Sequence, residues 1–242
     1  MRSRTPRETT PRERPSSAAP PCAGAGVAGY LPPPAPGFAL AEYVGLPADH
    51  PESYRSVITR DAVVPLRLNP ANIHVPRGDR STMRTAGLDY EAAILAAGGV
   101  DVQILGIGRI GRIGRIGRTG HVGFNEPGSS FASVTRIKTL TEKTRIDNAR
   151  FFPSIDDVPI HCITQGLGTI LRARHLILLA FGAEKADAIA AAVEGPLSSS
   201  KPGSVIQLHP HVTVIVDEAA ASKLANLDYY RYAWAHKPWP GF

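Results

Sequence analysis

GIGRIGRIGRIGRTGHVGFNEPGSS, residues 106–130, follows directly on a short apolar run, Val102–Leu105. An apolar run of that length ending in glycines predicts a buried strand that stops at a tight turn. The first six residues satisfy G-x-G-x-x-G, which in a dinucleotide-binding unit must open a helix. Here glycine recurs at every third position to Gly120. Each glycine costs a helix about 1 kcal/mol relative to alanine, so no helix starts there and the dinucleotide reading fails. The Ile-Gly-Arg copies are an expansion within a loop. Such lengthening is cheap, roughly 0.6 kcal/mol per doubling of loop length.

Further apolar runs at Leu176–Ala180 and Val212–Val216 predict two more buried strands, and the alternating Ser133–Leu140 and Ile160–Thr164 read as two other strands. Between them lie helical patterns: Leu88–Ala97, with Tyr90, Ile94 and Leu95 at helical spacing, Gly168–Ala173, the alanine-rich Glu184–Val193 before Gly195-Pro196, and Glu218–Leu227. Strands alternating with helices predict an α/β fold: an open, mainly parallel, doubly wound Rossmann-like sheet with helices on both faces. Ligands of such sheets sit at the carboxyl ends of the strands.

The chain has 242 residues and 43% hydrophobic residues, enough for one large domain with a proper core. Residues 1–37 hold nine of the 22 prolines and no apolar period, and are expected to be disordered or irregular. The domain proper is expected over residues 38–242. The formal charge of +6 comes from two places, a net +3 in residues 1–37 and the arginines of the repeat, Arg109, Arg112, Arg115 and Arg118. The remainder is close to neutral, which argues against a nucleic-acid surface. No apolar run reaches a membrane-spanning length, and no secretory signal follows Arg2 and Arg4. Cys22 and Cys162 form no framework, which fits a reducing cytoplasm. No metal-ligand spacing stands out: His209 and His211 flank a proline, and packing or hydrogen bonding is the expected role of His50 and His74.

His121, Asn125 and Glu126, closed by Pro127-Gly128, supply an acid–base pair on a glycine-lined turn. The stretch resembles the active-site loop of the glucosamine-6-phosphate deaminases, whose pattern is a strand, GxG, two residues, then GH(I/V)xFNEPGSS. Phe38–Leu46 (FALAEYVGL) resembles the family's F-N-x-D-E-Y-V-G-L, and His50–Tyr54, Asn72–Pro76 and Asp147–Phe152 are also similar. The resemblance covers roughly residues 38–240. It implies a cytoplasmic enzyme of amino-sugar catabolism that needs no cofactor or metal, converts glucosamine 6-phosphate and water to fructose 6-phosphate and ammonia, and allows for a homo-oligomer.

The resemblance also implies roles. His121 shuttles the ring-opening proton, with Glu126 beside it and Thr119 where the family has Asp or Asn. Arg150 and Lys185, expected to converge near His121, bind the substrate phosphate, and Gly108 contributes to the substrate site. Ser130, Arg136 and Lys138 match an effector-phosphate pocket. Two departures matter. The family's carbon-acid base is an aspartate where this chain has Ala41, and the neighbouring Glu42 would point to the opposite face of an extended segment. The family's first strand and its Gly/Ser/Thr-rich phosphate loop have no counterpart in residues 1–37, so the domain is N-terminally incomplete. A non-catalytic sugar-phosphate-binding paralogue and a degenerate gene product are the alternatives to an enzyme of impaired activity.

The repeat is expected to project as a loop, with its isoleucines partly buried and its arginines in solvent. Deleting Ile110–Arg118 restores the family spacing between Gly108 and His121. It should leave the melting temperature unchanged or slightly raised; a lower value would make the repeat structural.

Overall fold

The strongest of these patterns, Val102–Leu105, Leu176–Ala180 and Val212–Val216, form one parallel sheet. In a computed structural model, which describes residues 35–107 and 120–238, strand β4 (Val102–Gly106) pairs with β7 (His175–Ala180), and β7 pairs with β8 (Val212–Val216). The expectations for the disordered start lie outside the described residues up to position 34, as do the repeat, Gly108 and Thr119. All described residues belong to one compact unit.

Alternation along β7 buries Leu176, Leu178 and Ala180. They pack on the apolar side of helix α5 (Ala186–Val193), through Ala188, Ile189 and Ala192, with Leu105, Ile170 and Ile206 completing this core. Among the described residues, helix cover on the second face does not extend over Val102 and Ile104, which remain 51% and 58% exposed.

Apart from helix α2, the elements before β4 are short. Strand β1 (Gly37–Phe38) pairs in parallel with β3 (Ile73–His74), and between them come β2 (Ala41–Tyr43) and helix α1 (Tyr54–Ile58). Helix α2 (Ala86–Ala96) buries Tyr90, whose hydroxyl lies within donating distance of the carbonyls of Ala39 (2.8 Å) and His74 (3.0 Å) and can serve one of them at a time.

The segments Ser133–Leu140 and Ile160–Thr164 do form strands, β5 (Arg136–Thr139) and β6 (His161–Thr164), but not in the parallel sheet. With β2 they make an antiparallel sheet of order β2-β6-β5, in which Ala41 faces Thr164 and Tyr43 faces Cys162. Strand β5 starts late because Ser133 is used elsewhere. Its carbonyl and hydroxyl accept the N–H groups of Gly168 and Leu167, at the start of helix α4 (Leu167–Leu171). Helix α3 (Glu142–Asn148) connects β5 to β6, and Ala41, Tyr43, Phe124, Leu140, Phe152, Val158 and Cys162 form a second core.

One helix differs from expectation. Residues 218–227 are not continuous: α6 ends after Glu218–Ala221 and a separate α7 covers Leu227–Ala235. The Glu194 carboxylate accepts the N–H groups of Ala225 and Asn226, at 2.6 and 2.9 Å, and so holds the chain out of the helix there. His50 and His74 pack as expected, stacked on Phe152 and Phe38. Among the described residues no helix is long and apolar enough to cross a membrane.

Leu178 is fully buried between the sheet and α5. Leu178→Ala should cost about 2–5 kcal/mol in urea unfolding, whereas Val102→Ala should stay within about 0.5 kcal/mol.

Candidate active site

Strand β4 delivers the chain to Gly106 and Ile107, and Ile107 pairs with Val122 in an antiparallel bridge. The two ends of the repeat-bearing segment are therefore held side by side. Beyond Val122 the backbone turns at Gly123 (φ +58°), where a Cβ would come within 2.9 Å of Thr164 Oγ1. That oxygen accepts the N–H of Phe124. The buried Asn125 amide then donates to the carbonyls of Val122 and Gln165, both at 2.9 Å. Pro127 and Gly128 (φ +84°) form the middle of the next turn, closed by Ser129 N–H on the Glu126 carbonyl.

This scaffold leaves a cleft of about 260 Å³ at the carboxyl end of β4, walled by Ala41, Tyr54, Gly106, His121, Phe124 and Asn148 among others. Burial disfavours the charged imidazole and holds His121 below its ordinary pKa. Glu126 works against that shift, the Lys185 ammonium adds to it, and Asp147 opposes it. The imidazole is therefore neutral near pH 7 and able to take up or release a proton. Lys185 ends a short turn after Gly182 and donates from Nζ to the Ile107 carbonyl at 2.8 Å. Glu126 is buried, and its Oε1 is held by Thr141 and Thr144.

No family model matches the chain. It is 59% identical over 215 residues to the glucosamine-6-phosphate deaminase of Bifidobacterium longum subsp. infantis, covering 85% of this chain and 76% of that relative. It is 58% identical over 206 residues to the deaminase of Rhodococcus opacus, with the same coverage. The chain belongs to the glucosamine-6-phosphate deaminase family. A solved monomeric glucosamine-6-phosphate deaminase of the NagB superfamily superposes with a TM-score of 0.71 at 40% identity, over 77% of this chain and 73% of that one. A 6-phosphogluconolactonase from Trypanosoma brucei shares the fold, with a TM-score of 0.59 at 17% identity, over 78% of this chain and 73% of its own.

Seen as a member of that family, the chain presents Ala41 and His121 in one cleft wall. Glu42 lies away from it, as the alternation of an extended strand requires. Its buried carboxylate accepts the N–H groups of Tyr43 (2.8 Å), Tyr54 (3.0 Å) and Arg55 (3.1 Å), and so closes the amino end of α1. Arg150 does not line the cleft; its guanidinium lies over the Phe151 ring, 4.6 Å from the centroid. Ser130 is exposed and accepts the Ala132 N–H. Arg136 and Lys138 share one face of β5, opposite Thr164 and Cys162, and burial holds the Arg136 guanidinium below its ordinary pKa. Among the described residues no group of three His, Cys, Asp or Glu side chains is placed to hold a metal ion.

Sequence reasoning missed Tyr54 and Asn148 in the cleft wall and the two threonines on Glu126. Thr141 carried a usable signal, a helix cap ahead of Glu142–Asn148. Nothing local linked it to Glu126.

Glu42→Gln keeps the side-chain volume but turns an amide donor toward backbone donors. It should destabilise the protein by about 1–3 kcal/mol, measured by thermal or urea unfolding, and an unchanged stability would deny Glu42 the structural role.

Proposed function

We propose that this chain binds an amino-sugar phosphate in the cleft at His121 and carries an impaired form of its family's reaction, glucosamine 6-phosphate and water to fructose 6-phosphate and ammonia. The observation behind the impairment is the Ala41 methyl group in the same wall as His121. The reaction has two proton-transfer stages. Opening the hexosamine ring needs a group that moves a proton between oxygens, and a neutral, half-buried His121 beside Glu126 suits it. Thr119, in the place of the family's Asp or Asn, offers a hydroxyl and no charge. Removing the C2 proton to form the enediol needs a positioned carboxylate, and an alanine accepts no proton. Glu42 is no substitute, because both its oxygens are engaged with backbone N–H groups.

Lys185, close enough to His121 to depress its basicity, supports the reading that it receives the substrate phosphate as a point charge. In this reading Arg150 joins it by leaving the Phe151 ring, and Gly108, outside the described residues, belongs to the substrate site. Ser130, Arg136 and Lys138 would take a second phosphate as an effector site, supported by the shared strand face of the two cations. The substrate class suits a cytoplasmic hydrolase without a cofactor. Ala41 also favours a second reading, a paralogue that binds the sugar phosphate without turning it over.

Ammonia release from glucosamine 6-phosphate by the purified protein separates the two. Slow but measurable release is expected. Ala41→Asp should raise it by about tenfold, short of the roughly 10²–10⁴-fold that a well-placed base supplies. Robust turnover by the unaltered chain would show that another carboxylate serves as base, and no release from either protein would favour the binding paralogue.

A further inference from the structure

The Glu126 carboxylate is held asymmetrically. Its Oε1 accepts the Thr141 N–H (3.2 Å), the Thr141 hydroxyl (3.2 Å) and the Thr144 hydroxyl (2.5 Å). Its Oε2 is buried and, among the described residues, has no hydrogen-bond partner. A buried carboxylate oxygen without a donor is costly unless something uses it. The two threonines also bind each other. The Thr144 N–H donates to Thr141 Oγ1, which is the cap of α3, and the Thr141 hydroxyl reaches Thr144 Oγ1 at 3.0 Å. A hydroxyl has one hydrogen, so Thr141 can serve Oε1 or Thr144, but not both at once. The Thr144 hydroxyl is therefore the constant donor. Rotating the carboxylate would exchange the held oxygen for the unpaired one, at the cost of these bonds.

We propose that Thr144, assisted by Thr141, is a positioning residue for Glu126: the pair grips one carboxylate oxygen so that the other stays turned to the use of His121. This rests on the reading that His121 opens the sugar ring. In that step His121 becomes transiently cationic, and a fixed carboxylate nearby stabilises the cation without having to reorient. The grip comes from the first turn of α3, so the helix that supplies Asn148 to the cleft wall also sets the carboxylate.

The charged groups acting on His121 are Glu126 from its own turn, Lys185 from the turn before α5, and Asp147 from α3. A displaced α3 would move Asp147 as well as Thr144, and the test must separate these. The His121 imidazole is titrated by NMR in the full chain without substrate, its signal assigned as the one lost in His121→Asn. Thr144→Val should move the midpoint down by about half a pH unit. Thr144→Ser should restore it. In a Glu126→Gln background Thr144→Val should have no effect, because a positioning residue acts only through the group it positions. An unchanged midpoint in folded Thr144→Val, or the same shift in both backgrounds, overturns the proposal. Should Thr144→Val fail to fold, Thr141→Val, which keeps the backbone donor, carries the same test with a smaller shift in the same direction. Because the titration needs no substrate, it stands whether or not the chain releases ammonia.

Discussion

The site depends on one buried relay of amides. Gln165, at the end of β6, donates its backbone N–H to the Leu40 carbonyl and its side-chain amide to the Ala39 carbonyl. Its own carbonyl accepts from the Asn125 side chain, which also holds Val122. The relay joins the strand that carries Ala41 to the turn that carries His121, and Gln165 and Asn125 are almost completely buried. Breaking it would strand backbone carbonyls away from water, at about 1–3 kcal/mol for each unsatisfied group. The position of Ala41 relative to His121 is thus fixed by hydrogen bonds that no flexible side chain of the cleft can adjust. Only the chemistry of residue 41 is left to vary.

That constraint explains why the departure at Ala41 has no neighbouring remedy. A strand offers alternate side chains to opposite faces, and the Glu42 carboxylate is already committed to the start of α1. Releasing it for catalysis would leave the Tyr54 and Arg55 N–H groups at the amino end of that helix without this acceptor. His121, by contrast, keeps the surroundings a proton shuttle needs: burial that keeps it neutral, a carboxylate that steadies its cation, and a lysine near enough to weigh against that cation. In the proposed reading the two stages of the reaction rest on separate groups, and Ala41 bears on the second of them.

The parallel sheet was legible because its strands are mostly apolar, and β8 was found at its observed ends, although it was expected to be buried and none of its residues is fully buried, Ile215 being exposed. Two strands of the antiparallel sheet were legible, but their separation from the parallel sheet and their pairing with β2 were not. Strands of three and four residues carry little periodicity, and Ala41 meets Thr164 across a large loop whose closure nothing local announces. The break between α6 and α7 was equally hidden, since it is made by Glu194, a tertiary contact that overrides good helix formers. In the site, His121 and Glu126 could be named from one contiguous motif. The grip on Glu126 comes from residues fifteen and eighteen positions later. The departure at residue 41 was legible only through the family resemblance; the period of two of an extended segment added that Glu42 points away.

Exchange at C2 of the substrate isolates the step that Ala41 should disable. Glucosamine 6-phosphate is incubated with the protein in deuterated water, and both interconversion of its ring anomers and deuterium entry at C2 are followed by NMR. Anomer interconversion should be faster with His121 present, with no matching rise in C2 exchange. C2 exchange that keeps pace with ring opening would contradict this expectation, and would mean that a base other than residue 41 reaches the carbon.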